Sequence, residues 1–170
     1  MSSQVIFSKE AQLFKKKLRN KFYFNQWSLL FSLEGPHKIP FSFDQFKPII
    51  PPNDRFWADP FVVFRDGCFF IFVEEFLYGS NKGVISVIAL TEDGAYADSQ
   101  VVLSKDYHLS YPFLFEEAGE LYMIPETSHN DTIELYKCVD FPLKWELETV
   151  LIDHIKAVDS TLIKHEGKYW

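Results

Sequence analysis

The chain has 170 residues, a length that predicts one domain with one sizeable core. Its net charge is −7 and its pI about 5.2, which argues against a nucleic-acid partner, because phosphate binding needs an excess of Lys and Arg. Aromatic residues make up 18% of the chain, and such residues favour strands and can stack on sugar rings.

Residues 1–24 form a basic segment that we expect to be a short helix, with Leu13, Phe14 and Leu18 at helical spacing. Six Lys or Arg side chains lie between Lys9 and Lys21, against the single acid Glu10. Such a helix is most often solvated, and the alternative is contact with an anionic membrane surface.

Neither a signal peptide nor a membrane span is predicted. The first ten residues lack the apolar core of a signal peptide, and no run of about 18 apolar residues predicts a membrane span. Two isolated cysteines, Cys68 and Cys138, are expected to be buried reduced thiols. Together these features favour a cytoplasmic or cytosol-facing location.

The next elements mark the start of a β-rich domain spanning residues 25–170. Residues Asn25–Leu33 are predicted to form a strand, and the proline-rich stretch Gly35–Pro52 is predicted to be a loop. Beyond it, short runs of Val, Ile, Phe and Tyr alternate with turn residues, which indicates an all-β fold.

An internal repeat organises the rest of the chain. Its copies start at Asp59, Tyr111 and Asp159, which lie 52 and 48 residues apart (111 − 59 and 159 − 111). Each start is followed eight positions later by a glycine, and the first two copies carry a glutamate at the fifteenth position: Gly67, Gly119 and Gly167, and Glu74 and Glu126. A period of about 40–50 residues with several short strands is typical of a propeller blade.

We therefore predict a partial five-bladed β-propeller of about two and a half blades. Blade one covers about 57–104, blade two about 109–152, and blade three begins at 157. The predicted strands are Phe61–Phe64, Cys68–Glu74, Gly83–Leu90 and Gln100–Leu103, then Phe113–Phe115, Glu120–Ile124, Thr132–Cys138 and Trp145–Leu151. The alternative is an ordinary β-sandwich. Because so few blades cannot close a ring, we expect the chain to be a fragment of a longer protein or a truncated gene product.

Several motifs of the chain resemble those of a known family and follow one another in that family's order and spacing. They are Phe46-Lys47-Pro48-Ile49-Ile50-Pro51-Pro52, Phe56-Trp57-Ala58-Asp59-Pro60-Phe61, His108-Leu109-Ser110-Tyr111-Pro112-Phe113, Met123-Ile124-Pro125-Glu126, and Val139-Asp140-Phe141-Pro142 with Trp145. Over roughly 27–170 the chain resembles the N-terminal domain of glucosamine inositolphosphorylceramide transferases and their bacterial relatives. That domain is similar to the five-bladed propellers of arabinanase-type and invertase-type glycoside hydrolases.

The resemblance to propeller hydrolases implies roles for two acids. Asp59 matches the base or nucleophile at the start of blade one, and Asp159 matches the blade-three Asp that tunes the site or holds substrate. The acid of blade four would lie beyond Trp170, and Glu126 or Glu75 are weaker substitutes. For both aspartates the alternative is a turn-forming role.

Four residues are predicted to contact the substrate. Trp57 is the candidate for stacking on a sugar, His108 and Tyr111 for binding a hydroxyl or stacking, and Glu126 for a further polar contact. The alternative for His108 is an ordinary loop histidine, and the recurrence of Glu74 and Glu126 favours a structural role in each blade.

The function implied is that of a carbohydrate-active domain, glycosidase-like or working beside a glycosyltransferase, with a carbohydrate or glycoconjugate as partner. The alternative is a non-catalytic propeller that binds glycan or protein, and we expect the isolated chain to be inactive. No P-loop, dinucleotide-binding, zinc or Ser-His-Asp pattern is present, so no metal or cofactor is expected.

Overall fold

A computed structural model describes residues 26–33 and 42–170. The predicted helix within residues 1–24 lies outside the described residues. The predicted first strand is confirmed as β1 (Leu29–Phe31), which pairs antiparallel with β2 (Lys47–Ile49). The prediction of a loop over the whole of Gly35–Pro52 was wrong in its last part, because Phe43–Gln45 form a 3₁₀ turn and β2 pairs with β1.

Two four-stranded antiparallel sheets follow, each built from strands that are consecutive in the chain. The first sheet contains β3 (Arg55–Arg65), β4 (Cys68–Leu77), β5 (Lys82–Thr91) and β6 (Gln100–Leu103). The second contains β7 (Ser110–Glu117), β8 (Glu120–Thr127), β9 (Thr132–Asp140) and β10 (Lys144–Asp153). All eight predicted strands are thereby confirmed, most of them a few residues longer than expected. A third unit starts with the hairpin β11 (Lys164–His165) and β12 (Lys168–Tyr169).

The three hairpins that open these units share one turn conformation. Asp66-Gly67, Ala118-Gly119 and Glu166-Gly167 all have positive φ, between 49° and 81°. Positive φ at both central residues defines the type I′ turn, whose twist matches that of the flanking strands. The glycines predicted to lie in these hairpins are confirmed there.

The start of each repeat is also special in its backbone. Asp59, Tyr111 and Asp159 have φ values of 50°, 43° and 50°, a left-handed conformation that is uncommon for residues other than glycine. In the first two units these residues fall where the ladder between the first two strands is interrupted, between Ala58 and Phe61 and between Ser110 and Phe113. The repeat is thus present in the backbone as well as in the sequence.

The first sheet is packed on both faces. One face meets the second sheet through edge-on aromatic pairs, with ring centroids 5.6 Å apart for Phe72 and Trp145 and 4.7 Å apart for Phe70 and Phe141. The other face, with Trp57 and Ile71, packs against Leu29 of β1 and Ile49 of β2.

These layers confirm the all-β class. Within residues 26–33 and 42–170 none of the sheets closes on itself. The five-bladed ring therefore stays a proposal. The part of the chain that the structure describes contains no helix with the length and hydropathy needed to span a bilayer.

Candidate acidic site where three repeats meet

Four carboxylates from three repeats lie near one another. Asp59 and Asp159 occupy the left-handed starts of the first and third repeats. Glu74 pairs with Ala58 across the β3–β4 ladder, and Glu126 pairs with Ser110 across the β7–β8 ladder, so each glutamate lies beside the interruption of its own sheet. The recurrence of glutamate fifteen positions after each start places both side chains at equivalent sites.

Glu74 is the acid at the centre of this group, with only 7% of its surface exposed. Burial, followed by the negative charges of Asp59, Glu126 and Asp159, raises the pKa of Glu74 to about 7. A carboxyl group with this pKa carries a proton for part of the time at neutral pH. The recurrence of glutamate in the first two repeats led to the prediction of a structural role for Glu74. The same recurrence is the sequence signal that could have identified Glu74 as a candidate site residue.

His108 faces Glu74, with its Nε2 3.5 Å from Oε1 of the glutamate. Its Nδ1 accepts a hydrogen bond of 2.9 Å from the backbone N–H of Gly83, so the neutral ring keeps its proton on Nε2. Burial, and then the nearby His129, lower the pKa of His108. The predicted site residue His108 is therefore brought into the acidic group, in its neutral form.

Position 83 must be glycine for this arrangement to form. A Cβ atom added there would lie 2.3 Å from the carbonyl oxygen of Leu109 and 2.7 Å from Cε1 of His108. The close approach also lets the N–H of Leu109 donate to the carbonyl of Gly83 at 3.1 Å. The start of β5 therefore fixes the segment that carries His108.

Asp159 and Glu126 join the third repeat to the second. The backbone N–H of Asp159 donates to Oε2 of Glu126 at 3.4 Å, and Oγ of Ser128 donates to Oε1 at 2.6 Å. The Asp159 side chain is exposed, and a partial loss of hydration, followed by the charges of Glu126 and Asp59, raises its pKa. Both predicted residues thus belong to the same group of acids as Asp59 and Glu74.

Tyr111 lies beside this group. Its hydroxyl is 2.9 Å from Oγ1 of Thr161 in the third repeat, and its ring meets Phe61 edge-on with centroids 5.1 Å apart. These contacts link the starts of all three repeats. Tyr111 is placed as a bridge between them, with its hydroxyl already engaged.

Trp57 is placed differently from the stacking role predicted for it. Only 3% of its surface is exposed, and its Nε1 donates to Oε2 of Glu75 at 3.0 Å. The other oxygen of Glu75 accepts from Nη1 of Arg55 at 2.6 Å. An aromatic ring must present an open face to stack on a sugar, and the buried ring of Trp57 does not present one. Glu75, the other substitute acid, belongs to the same buried ion pair.

Within the described chain, the side chains that could bind a metal ion are not grouped for it. Among residues 26–33 and 42–170, no three His, Cys, Asp or Glu side chains come together in an arrangement that could hold a metal ion. Asp59, Glu74, Glu126 and Asp159 also have no Lys or Arg within 4.0 Å in the described part of the chain. Among the described residues, the basic group that pairs with one of these acids is His108, which faces Glu74.

The fold and site define a class: an all-β repeat domain with a carboxylate-rich site where the starts of its repeats meet. Residues 49–170 match the family model described as glucosamine inositolphosphorylceramide transferase 1, N-terminal. The chain therefore belongs to this family, and the resemblance seen in its motifs is confirmed.

Relatives in plants agree with this assignment. The chain is 37% identical over 122 residues to glucosamine inositolphosphorylceramide transferase 1 of Arabidopsis thaliana, covering 71% of this chain and 16% of the relative. It is also 37% identical over 117 residues to the proteins of the same name from Oryza sativa subsp. indica and subsp. japonica, covering 68% of this chain and 16% of each relative. The matched region thus spans about one sixth of these relatives. No solved structure matches the chain.

Proposed function

We propose that this domain binds the sugar of a glycoconjugate at the acidic site and acts on its glycosidic bond. The observation that carries the proposal is the buried Glu74, whose pKa is raised to about 7 beside Asp59, Glu126 and Asp159. Chemistry at a glycosidic bond needs one carboxyl group that can give up a proton and a second that acts as base or nucleophile. Glu74 supplies the first role and Asp59, at the start of the first repeat, the second.

The proposed architecture is a five-bladed propeller of the glycoside-hydrolase type. Its support is the repeated meander, the shared type I′ turns and the left-handed residues that begin three successive units. In such a ring the first strands of all blades face the central axis, so the starts of the repeats would line one funnel. A domain of this kind would place its acids where a sugar enters.

The ligand class follows from the relatives. Their name contains glucosamine and inositolphosphorylceramide, so we take a glucosamine-bearing glycoconjugate as the ligand. Acting beside a glycosyltransferase, the domain would hold or trim such a ligand. The free thiols Cys68 and Cys138 support a cytosol-facing location as part of the same proposal.

A second function is favoured by the contacts of Glu126. Both of its oxygens accept hydrogen bonds, from Ser128 and from the N–H of Asp159, so this carboxylate is held in one orientation, as a group in a binding site would be. The alternative is therefore a non-catalytic propeller that binds a glycan or a partner protein.

One experiment separates these functions. The full chain and its Asp59→Asn and Glu74→Gln variants are compared for binding of methyl glucosaminide and for hydrolysis of 4-nitrophenyl glucosaminide. Glu120→Gln is the control, because Glu120 is an exposed glutamate on the same type of strand. Catalysis is supported if the wild-type chain hydrolyses the substrate and both site variants lose this activity. The binding module is supported if the wild-type chain binds the sugar without hydrolysing the substrate and Asp59→Asn weakens the binding. Equal behaviour of all four proteins contradicts a sugar site at these acids.

A further inference from the structure

A cleft of about 560 Å³ lies between the β1 segment and the first sheet, and its lining includes the core residues Leu29, Ile49, Trp57 and Ile71. One wall is formed by the chain around β1 and the other by β3, and its rim carries Trp27, Ser28, Leu30, Asp59 and Val62. Its size is in the range of small-ligand sites, which are mostly apolar with a few placed polar groups. We name it the β1 cleft.

Trp27 stands at the rim with a fixed backbone and an open ring. The side chain of Gln26 donates to the carbonyls of Pro51, Pro52 and Arg55, at 3.3, 2.8 and 3.1 Å. The carbonyl of Trp27 accepts the N–H of Trp57 at 3.3 Å. The indole is nevertheless 64% exposed. A large apolar ring that is exposed on an anchored stretch of backbone can serve as a contact surface.

Asp59 connects this cleft to the acidic site. It lines the β1 cleft, and its charge also acts on Glu74 and Asp159. A ligand that reaches the acids past Asp59 therefore has the Trp27 ring on its path. A sugar ring suits both walls, since its C–H face packs on an aromatic ring while its hydroxyls donate to a carboxylate.

We propose that the β1 cleft is a sugar-binding subsite in which the Trp27 indole stacks on a pyranose ring and Asp59 accepts one of its hydroxyls. This deepens the proposed function and rests on it. Trp27 thereby takes the stacking role that the sequence predicted for Trp57.

The test uses the four indole N–H signals of the ¹⁵N-labelled full chain during titration with methyl glucosaminide. Two indoles are buried with bonded N–H groups, Trp57 to Glu75 and Trp145 to the carbonyl of Pro142. Trp170 is 70% exposed and is the matched control for Trp27. The Trp27→Ala and Trp170→Ala variants assign the signals and provide the binding comparison.

We expect the Trp27 signal to shift saturably while the Trp170 signal stays in place, and Trp27→Ala to weaken binding about tenfold, with no change for Trp170→Ala. Equal shifts of the Trp27 and Trp170 signals would overturn the subsite, and so would a Trp27 signal that does not move. An unmoved Trp27 signal is also expected if another part of a longer chain fills the cleft. The side-chain carboxyl ¹³C signals of Asp59 and Glu74 are followed in the same titration. If they move and Trp27 does not, the subsite alone fails, and if neither moves, the proposed function fails with it.

Discussion

Glu74 and His108 face each other with Oε1 and Nε2 3.5 Å apart, one on β4 and the other in the segment that joins the two sheets. Burial affects the two groups in opposite ways, because it disfavours the charged form of each. It raises the pKa of the carboxyl and lowers that of the imidazole, so both favour the neutral state. The contact between the sheets thus favours the neutral form of both groups, at a point where three further acids lie nearby.

The raised pKa of Glu74 makes stability depend on pH. The group binds its proton more tightly in the folded chain, with a pKa of about 7 against an ordinary value of 4.5. The contribution of Glu74 to the free energy of unfolding is therefore fully present below pH 4.5 and is lost as the pH rises through 7. Glu74→Gln should remove this loss and stabilise the fold at pH 8 by up to about 3 kcal/mol. Urea unfolding at pH 5 and pH 8 measures this change, with a variant of the exposed Glu92, Glu92→Gln, as the control.

His108 contributes with the opposite sign. Its pKa is lowered from the ordinary 6.5, so its contribution is lost as the pH falls below that value. A wild-type chain that grows steadily more stable from pH 5 to pH 8, with Glu74→Gln following the same curve, would show that Glu74 has an ordinary pKa.

Gly83→Ala is expected to be strongly destabilising. The new Cβ would lie 2.3 Å from the carbonyl oxygen of Leu109, which is backbone and cannot move without opening the junction between the sheets. We expect a loss of about 2 kcal/mol or more in the free energy of unfolding. Gly79→Ala is the matched control, because nothing lies within 4 Å of its Cβ position, and it should change stability by less than about 1 kcal/mol. Equal losses in the two variants would show that the close approach at Gly83 does not exist.

The fold was largely predictable because its signals are local. Alternating apolar runs define the strands, and Gly67 and Gly119 mark turns that need positive φ. The site was only half predictable. Asp59 and Asp159 follow from their repeat positions, whereas the burial of Glu74 depends on a segment more than thirty positions further along the chain that carries His108 (108 − 74 = 34).

Tryptophan roles were least predictable from sequence. Trp57 lies two positions before Asp59 in the chain, but its indole donates to the buried Glu75, eighteen positions away. Trp27 gave no local signal, since Trp27 and Asp59 line one cleft only because β1 packs on the first sheet. Such contacts are set by tertiary structure and leave no pattern in a single sequence.

Ala118→Gly should stabilise the second sheet. Ala118 has φ of 53° in a type I′ turn, a conformation that costs an L-residue about 1 kcal/mol or more and glycine almost nothing. After the entropy that glycine adds to the unfolded chain, we expect a net gain of about 0.5 kcal/mol by thermal unfolding. Ala97→Gly, at a residue outside the left-handed region, should instead be neutral or slightly destabilising. A loss at both positions would argue against the type I′ turn.

The pKa of Glu74 reports whether the acids of the three repeats act on one another. Carboxyl ¹³C shifts of Glu74 are followed against pH in the wild-type chain and in Asp59→Asn and Asp159→Asn. We predict a pKa of about 7 that falls in both variants, because each removes a negative charge that acts on Glu74. A pKa near 4.5 that neither variant changes would show that the acids of the three repeats do not form one site.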